Sequence, residues 1–120
     1  MWDWYCRNFT HKEMQCPCCG KEAMGPDFME RLQTARDIAG IPFKINSGWR
    51  CNTHNAEVGG VETSSHLTGH AADIQADTSQ KRLIIIDALL RAGFCRMGVA
   101  KTFIHVDDDE NKPQERMWLY

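Results

Sequence analysis

The stretch SSHLTGHAAD, residues 64–73, decides how the rest of this 120-residue sequence is interpreted. His66 and Asp73 stand seven positions apart, and Gly69, Ala71 and Ala72 between them are small. Small residues would let the backbone turn tightly and bring both side chains to one point. Imidazole nitrogen and carboxylate oxygen are both zinc ligands, and a catalytic zinc site uses three protein ligands plus water. The stretch therefore predicts two ligands of a metal site.

The segment FIHVD, residues 103–107, offers a third ligand. It alternates as a strand does, so that Phe103, His105 and Asp107 share one face. A polar face on a strand built for a core needs a partner, and a metal ion is one. The residues alone leave a second interpretation open, in which Asp73 accepts backbone hydrogen bonds and His105 is a satisfied core histidine.

The remaining chain predicts an α+β fold, because a helix, a strand, a long loop, a strand, a helix and further strands follow one another. Pro26 and Gly40 bound the first helix, and Asp77 or Thr78 caps the second. We expect helices at 26–39 and 78–92, a helical turn near 53–58 in the loop 50–70, and strands at 43–49, 70–75, 96–100, 102–107 and 116–120. The faces predicted to meet the core are Phe28, Leu32, Ala35 and Ala39 on the first helix and Leu83, Ile86 and Leu90 on the second.

Composition narrows the classes of partner. With 42% hydrophobic residues, 25% charged residues and a net charge of −2, the chain lacks the basic stripe that nucleic-acid binding requires. The longest apolar stretch, residues 83–90, is too short for a membrane span and contains Asp87. The N-terminus carries charges where a signal peptide has its apolar run, so we expect synthesis in the cytoplasm. The length fits one domain, 1–120, with the Cys-rich residues 1–25 packed on it.

Three of the six cysteines lie close together, at positions 16, 18 and 19. Cys16 and Cys19 have the C-x-x-C spacing of structural zinc sites, and Cys6 or Cys51 could complete such a set. A disulfide between this segment and Cys51 is the competing hypothesis. The sequence thus predicts either a second, structural metal or a disulfide here.

The residues Ser64, His66, Gly69, Ala71 and Asp73 form the pattern S-x-H-x-x-G-x-A-x-D. This pattern resembles the signature of the zinc D-alanyl-D-alanine peptidases, a superfamily that includes bacterial carboxypeptidases, phage endolysins and the Hedgehog signalling domain. The similarity extends over about residues 8–120, and further segments that carry it are INSGWR (45–50), HNAEVGGVETSSH (54–66), FIHVD (103–107) and MWLY (117–120). It implies the Hedgehog/D-Ala-D-Ala peptidase fold, a small antiparallel sheet with flanking helices.

The resemblance assigns roles to several residues. It implies that His66, Asp73 and His105 hold one catalytic zinc. Arg50 matches the family arginine that binds substrate or polarises the scissile carbonyl, which suits a guanidinium that can fork onto a carboxylate. Ser64 would orient the motif loop or bind substrate.

This sequence differs from the better-known relatives at the positions before His105 where they carry the residue that accepts a proton. Where many of them carry Glu-x-x-His this chain has Thr102, and where others carry His-x-His it has Phe103. Asp107 is the nearest carboxylate on the metal-facing side of its strand, and we predict that it takes a proton from zinc-bound water. Glu62, in the substrate loop, is the reserve candidate.

The function implied by the resemblance is hydrolysis of peptide bonds in the peptidoglycan stem or cross-bridge, of carboxypeptidase or endopeptidase type. A monomeric, phage-type lysis enzyme that a holin releases to the cell wall would fit this picture. Two alternatives stay open: a non-catalytic zinc-binding module that recognises cell-wall or other peptides, and a phage structural component.

Overall fold

The computed structural model describes Trp2 and residues 5–120. These residues form four helices and five strands in an α+β arrangement, as the sequence predicts. In chain order the elements are α1 (His11–Met14), α2 (Pro26–Ala39), β1 (Ile45–Ser47), α3 (Asn52–Glu57), β2 (Ala71–Gln75), α4 (Ser79–Arg91), β3 (Arg96–Val99), β4 (Phe103–Asp107) and β5 (Arg116–Leu119).

The five strands form one sheet in the order β1-β2-β4-β3-β5. The pairs β1–β2, β2–β4 and β3–β4 are antiparallel, but β5 lies parallel to β3. The expectation of an antiparallel sheet is therefore corrected to a mixed one. The cause is the segment 108–115, which carries the chain past β3 and returns it on the far side of that strand.

The helix α2 follows the pattern that predicted it. Pro26 stands at its start and Gly40 ends it in the left-handed conformation, with a φ of 68°. Phe28, Leu32 and Ala35 are buried as expected, and α2 packs against α4.

The helix α4 presents a different face from the predicted one. Thr78 caps it, since its hydroxyl accepts a hydrogen bond from the Lys81 backbone N–H at 3.1 Å. However, Leu83 and Leu90 are 70% and 51% exposed, and the side chains buried from this helix are Ile85, Ala88 and Leu89. The segment is apolar on nearly every side, so its periodicity defines no single inward stripe.

The N-terminal segment contributes to the same hydrophobic core as the helices and the sheet. The buried apolar residues that it supplies are Trp2, Cys6, Phe9, Met14 and Met24. Of the predicted segment 1–25, residues 1, 3 and 4 lie outside the described part of the chain. Within that described part, no helix is long and apolar enough to cross a membrane.

A tight turn at Gly69 leads the chain into β2. Gly69 has a φ of 79°, and a Cβ atom on it would stand 2.0 Å from the carbonyl oxygen of Ala23. Its own carbonyl accepts a hydrogen bond from the Gly25 backbone N–H at 2.9 Å. The glycine of the motif is thus required twice, by its backbone conformation and by the close approach of the N-terminal segment.

We predict that Gly69→Ala destabilises the fold much more than Gly40→Ala does. Both glycines have positive φ, but a Cβ atom at Gly40 meets nothing within 4 Å. Each alanine should lose about 1–2 kcal/mol from left-handed strain, and overpacking should add about 1–3 kcal/mol at Gly69 alone. Denaturant unfolding of the two variants measures the difference, and equal losses would contradict the steric explanation.

Candidate metal centre

Two strands and the turn before them bring the predicted ligands together. Asp73 on β2 and His105 on β4 are directly paired across the antiparallel ladder. His66 comes from the turn that precedes β2, and all three residues are buried. One ligand atom from each lies within 4.8 Å of the others.

Asp73 lies at the centre of this group. Its Oδ1 atom is 3.0 Å from His105 Nδ1 and 3.3 Å from His66 Nε2. Burial would raise the pKa of the Asp73 carboxyl, but its contacts with His105 and His66 outweigh burial and lower it. Two imidazole nitrogens and one ionised carboxylate are a donor set that suits zinc.

Each ligand is held from behind by a partner of its own. His66 Nδ1 lies 2.7 Å from the carbonyl oxygen of Gly48. Because a carbonyl only accepts, Nδ1 carries the proton there and leaves Nε2 to bind a metal. On the other histidine, His105 Nε2 lies 2.8 Å from Asp107 Oδ2, which leaves Nδ1 for the same ion.

Asp107 is buried, and three groups contact it. Besides His105, its Oδ1 atom accepts hydrogen bonds from Arg96 Nε at 2.7 Å and from the Asp109 backbone N–H at 3.2 Å. Burial would raise the pKa of Asp107, but His105 and Arg96 outweigh burial and lower it. Asp107 thus contacts the candidate metal site through its hydrogen bond with His105. Its role as proton acceptor stays a prediction.

Arg50 lies beside the ligands. Its NH2 group is 3.3 Å from Asp73 Oδ2, while Nε donates to Ser47 Oγ at 3.0 Å and NH1 to Asn55 Oδ1 at 3.3 Å. The guanidinium therefore fixes the second carboxylate oxygen of Asp73. Three of its five N–H donors are used in these contacts.

The ligands line a cleft of about 330 Å³ that Arg50 and Ser64 also line. The hydroxyl of Ser64 accepts a hydrogen bond from the His66 backbone N–H at 3.3 Å, so it braces the motif turn. Glu62, by contrast, is exposed and is not among the described residues that line this cleft. His70, inside the motif, turns to Asp108, with 2.8 Å between Nδ1 and Oδ1.

Sequence reasoning assigned no role to Arg96, Trp118 or Tyr120, yet all three line the cleft. The Trp118 ring lies 5.6 Å from the His105 ring, and the Arg96 guanidinium stands over the indole at 5.0 Å. The placement of Trp118 and Tyr120 depends on the parallel pairing of β5 with β3. This pairing joins distant parts of the chain and has no local signal in the sequence.

The cysteines form a second group, apart from the histidines. Cys16, Cys18, Cys19 and Cys51 each place a sulfur atom within 4.8 Å of the others. Cys6 is elsewhere, because its thiol donates to the Met29 carbonyl at 3.3 Å in the core. The fourth thiol beside Cys16, Cys19 and Cys51 is thus Cys18, and the expectation that Cys6 could complete the set is corrected.

Two histidines and one carboxylate that converge in a cleft of an α+β fold are a donor set that zinc metallopeptidases use. The chain belongs to the Peptidase M15 family, which it matches over residues 7–107. It is also similar to the zinc D-Ala-D-Ala carboxypeptidase of Streptomyces albus G, with 40% identity over 67 residues. That similarity covers 55% of this chain but 26% of the relative, so the chain spans about a quarter of the relative's length.

We predict that His66→Ala removes one zinc-binding event, whereas His70→Ala, four positions further along the chain and outside the ligand set, retains it. Loss of a ligand should weaken binding by more than the roughly 10–100-fold that loss of an outer partner costs. Calorimetric titration of zinc into metal-free protein measures this effect. An unchanged titration for His66→Ala would show that His66 is not a ligand.

Proposed function

We propose that this protein is a zinc peptidase that hydrolyses peptide bonds of the peptidoglycan stem or cross-bridge. The observation that carries the proposal is the convergence of His66, Asp73 and His105 on one point in a cleft. The family membership supports the peptidase activity. The D-Ala-D-Ala specificity of the Streptomyces relative supports the substrate class.

A zinc ion held by His66, Asp73 and His105 would polarise the scissile carbonyl and would make the attacking water more acidic. The chain's own residues do the remaining work. Arg50 keeps Asp73 in position and has donors left to hold a substrate carboxylate or carbonyl oxygen. Trp118 and Tyr120 provide aromatic surface along the cleft. Ser64 keeps the motif turn in place and lies beside the same cleft.

Asp107 has two tasks in this proposal. It orients His105 through Oδ2, and it accepts a proton from the attacking water through the second lone pair of the same oxygen. A carboxylate offers about four lone-pair sites, and the described contacts use one of those on Oδ2 and two on Oδ1. Arg96 keeps the carboxylate ionised and fixed for both tasks.

The direct test is digestion of purified peptidoglycan by the zinc-loaded protein, followed by mass analysis of the products. Release of free D-alanine would indicate a carboxypeptidase, and loss of cross-links or of stem peptides would indicate an endopeptidase. The metal-free protein and His66→Ala serve as controls and should release nothing. If the zinc-loaded protein also releases nothing, the non-catalytic recognition module is the better explanation.

We predict that Asp107→Asn lowers kcat by about 10²–10⁴-fold, since it removes a proton acceptor. It should also weaken zinc binding by about 10–100-fold, because the partner of a ligand is altered. The matched control is Asp87→Asn on the exposed side of α4, where the carboxylate lies 3.7 Å from Arg91 NH1.

The two tasks of Asp107 separate when kcat is measured at saturating zinc. A kcat that recovers fully at high zinc would leave orientation of His105 as the only task. A fall in kcat that persists with zinc bound would support the proton-acceptor role.

A further inference from the structure

Four thiols meet at one point outside the cleft. We propose that Cys16, Cys18, Cys19 and Cys51 bind a second metal ion of the thiolate-preferring class, with zinc as the expected occupant. This inference goes beyond the proposed function and does not depend on peptidase activity. It rests on the sulfur positions and on the backbone that presents them.

The sulfur–sulfur distances fit a shared ion better than a disulfide. Cys16 Sγ lies 3.5 Å from Cys18 Sγ and 3.6 Å from Cys51 Sγ, and the Cys18–Cys51 distance is 3.1 Å. A disulfide bond is about 2.05 Å long and joins only two sulfurs. Four sulfurs about 2.3 Å from a tetrahedral zinc stand about 3.8 Å apart. Two of the three distances lie close to that value and the third is shorter, all three exceed a disulfide bond, and Cys19 stands close by.

The backbone of the segment 16–21 is a tight turn that directs three thiols to one side. The Cys16 N–H donates to the Lys21 carbonyl at 2.7 Å, and the Gly20 N–H donates to the Cys16 carbonyl at 2.8 Å. Gly20 closes the turn with a φ of 71°. The turn contains the C-x-x-C spacing of structural zinc sites, followed by this glycine.

The thiol of Cys51 comes from a different part of the chain than the other three. Cys51 caps the start of α3, and its sulfur accepts a hydrogen bond from the His54 backbone N–H at 3.4 Å. Cys16 is buried, while Cys18 and Cys19 are exposed. The group is therefore anchored on one side and open to an entering ion on the other.

A metal at this position would fasten the N-terminal segment to the strand-to-helix segment 48–51. These two segments already touch, since the Trp49 N–H donates to the Met14 carbonyl at 2.9 Å. The segment 48–51 holds Gly48, the partner of His66, and Arg50, the partner of Asp73. The cysteine site would thus hold in place the backbone that supports two ligands of the other centre.

Metal counting on protein purified under reducing conditions tests the proposal. We expect two zinc ions per chain in the wild type, one in His66→Ala and one in Cys51→Ser. Cys95→Ser is the matched control, because Cys95 is a half-buried thiol outside the group that donates to Gln114 Oε1 at 3.3 Å. This control should keep both ions.

Cobalt substitution identifies the ligands independently of any cysteine variant. A site of thiolates gives intense sulfur-to-cobalt charge-transfer absorption, whereas two imidazoles and a carboxylate give none. We expect these bands in cobalt-loaded wild type and in His66→Ala, and their loss in Cys51→Ser. If Cys51→Ser does not fold, the spectra of the wild type and His66→Ala still decide.

Three results would overturn the proposal. One is a wild type that binds one ion and whose mass is two hydrogens short of the reduced chain, which indicates a disulfide. Another is the absence of charge-transfer bands from cobalt-loaded His66→Ala. The third is a Cys51→Ser variant that keeps two ions. A peptidase assay that fails while two ions are bound would contradict the proposed function and leave the cysteine site standing.

Discussion

The rest of the structure depends on the contact between Asp73 and the two imidazoles that face it. An ionised carboxylate in a buried sheet is costly unless hydrogen bonds and opposite charge compensate it. Here the compensation comes from three directions, through His66, His105 and the guanidinium of Arg50. The first two of these partners are also the residues that converge with Asp73 as candidate metal ligands. The group therefore has a reason to assemble before any ion arrives, and an ion that binds finds its ligands already oriented.

The sequence predicted the three residues that converge in the cleft better than it predicted what supports them. His66, Asp73 and His105 belong to short motifs, and strand alternation places Asp107 on the same face as His105. Gly48 and Arg96 could not be found in this way, because they reach the site only through tertiary contacts. The contact of Arg96 with Asp107 exists because β3 and β4 pair in a register that sets these two residues opposite each other. A similar limit applied to the cysteines, where spacing favoured Cys16 and Cys19 but left both Cys6 and Cys51 as residues that could complete the set.

The fold shows the same division between local and long-range information. The helix α2 was predicted with its observed bounds, since a proline begins it and a glycine in the left-handed conformation ends it. The strands were found to within a few residues because alternation and turn residues are local signals. The inward face of α4 was wrong at Leu83 and Leu90, although Ile86 does pack against the core. The apolar residues of α4 surround the helix, and only packing selects Ile85, Ala88 and Leu89 for full burial. The parallel pairing of β5 was missed, because nothing within the segment 116–119 reports the direction of a strand 20 positions earlier.

That parallel pairing explains why the centre of β3 is a glycine. Gly98 stands between His105 on β4 and Trp118 on β5 in the sheet register. A Cβ atom on Gly98 would lie 2.3 Å from Trp118 Nε1, so any larger residue would displace the indole. Because position 98 has no side chain, the indole can lie across β3 and reach the His105 ring on one side and the Arg96 guanidinium on the other. The last strand therefore does more than extend the sheet. It places the Trp118 ring beside the His105 ring, and this is possible because Gly98 on β3 has no side chain.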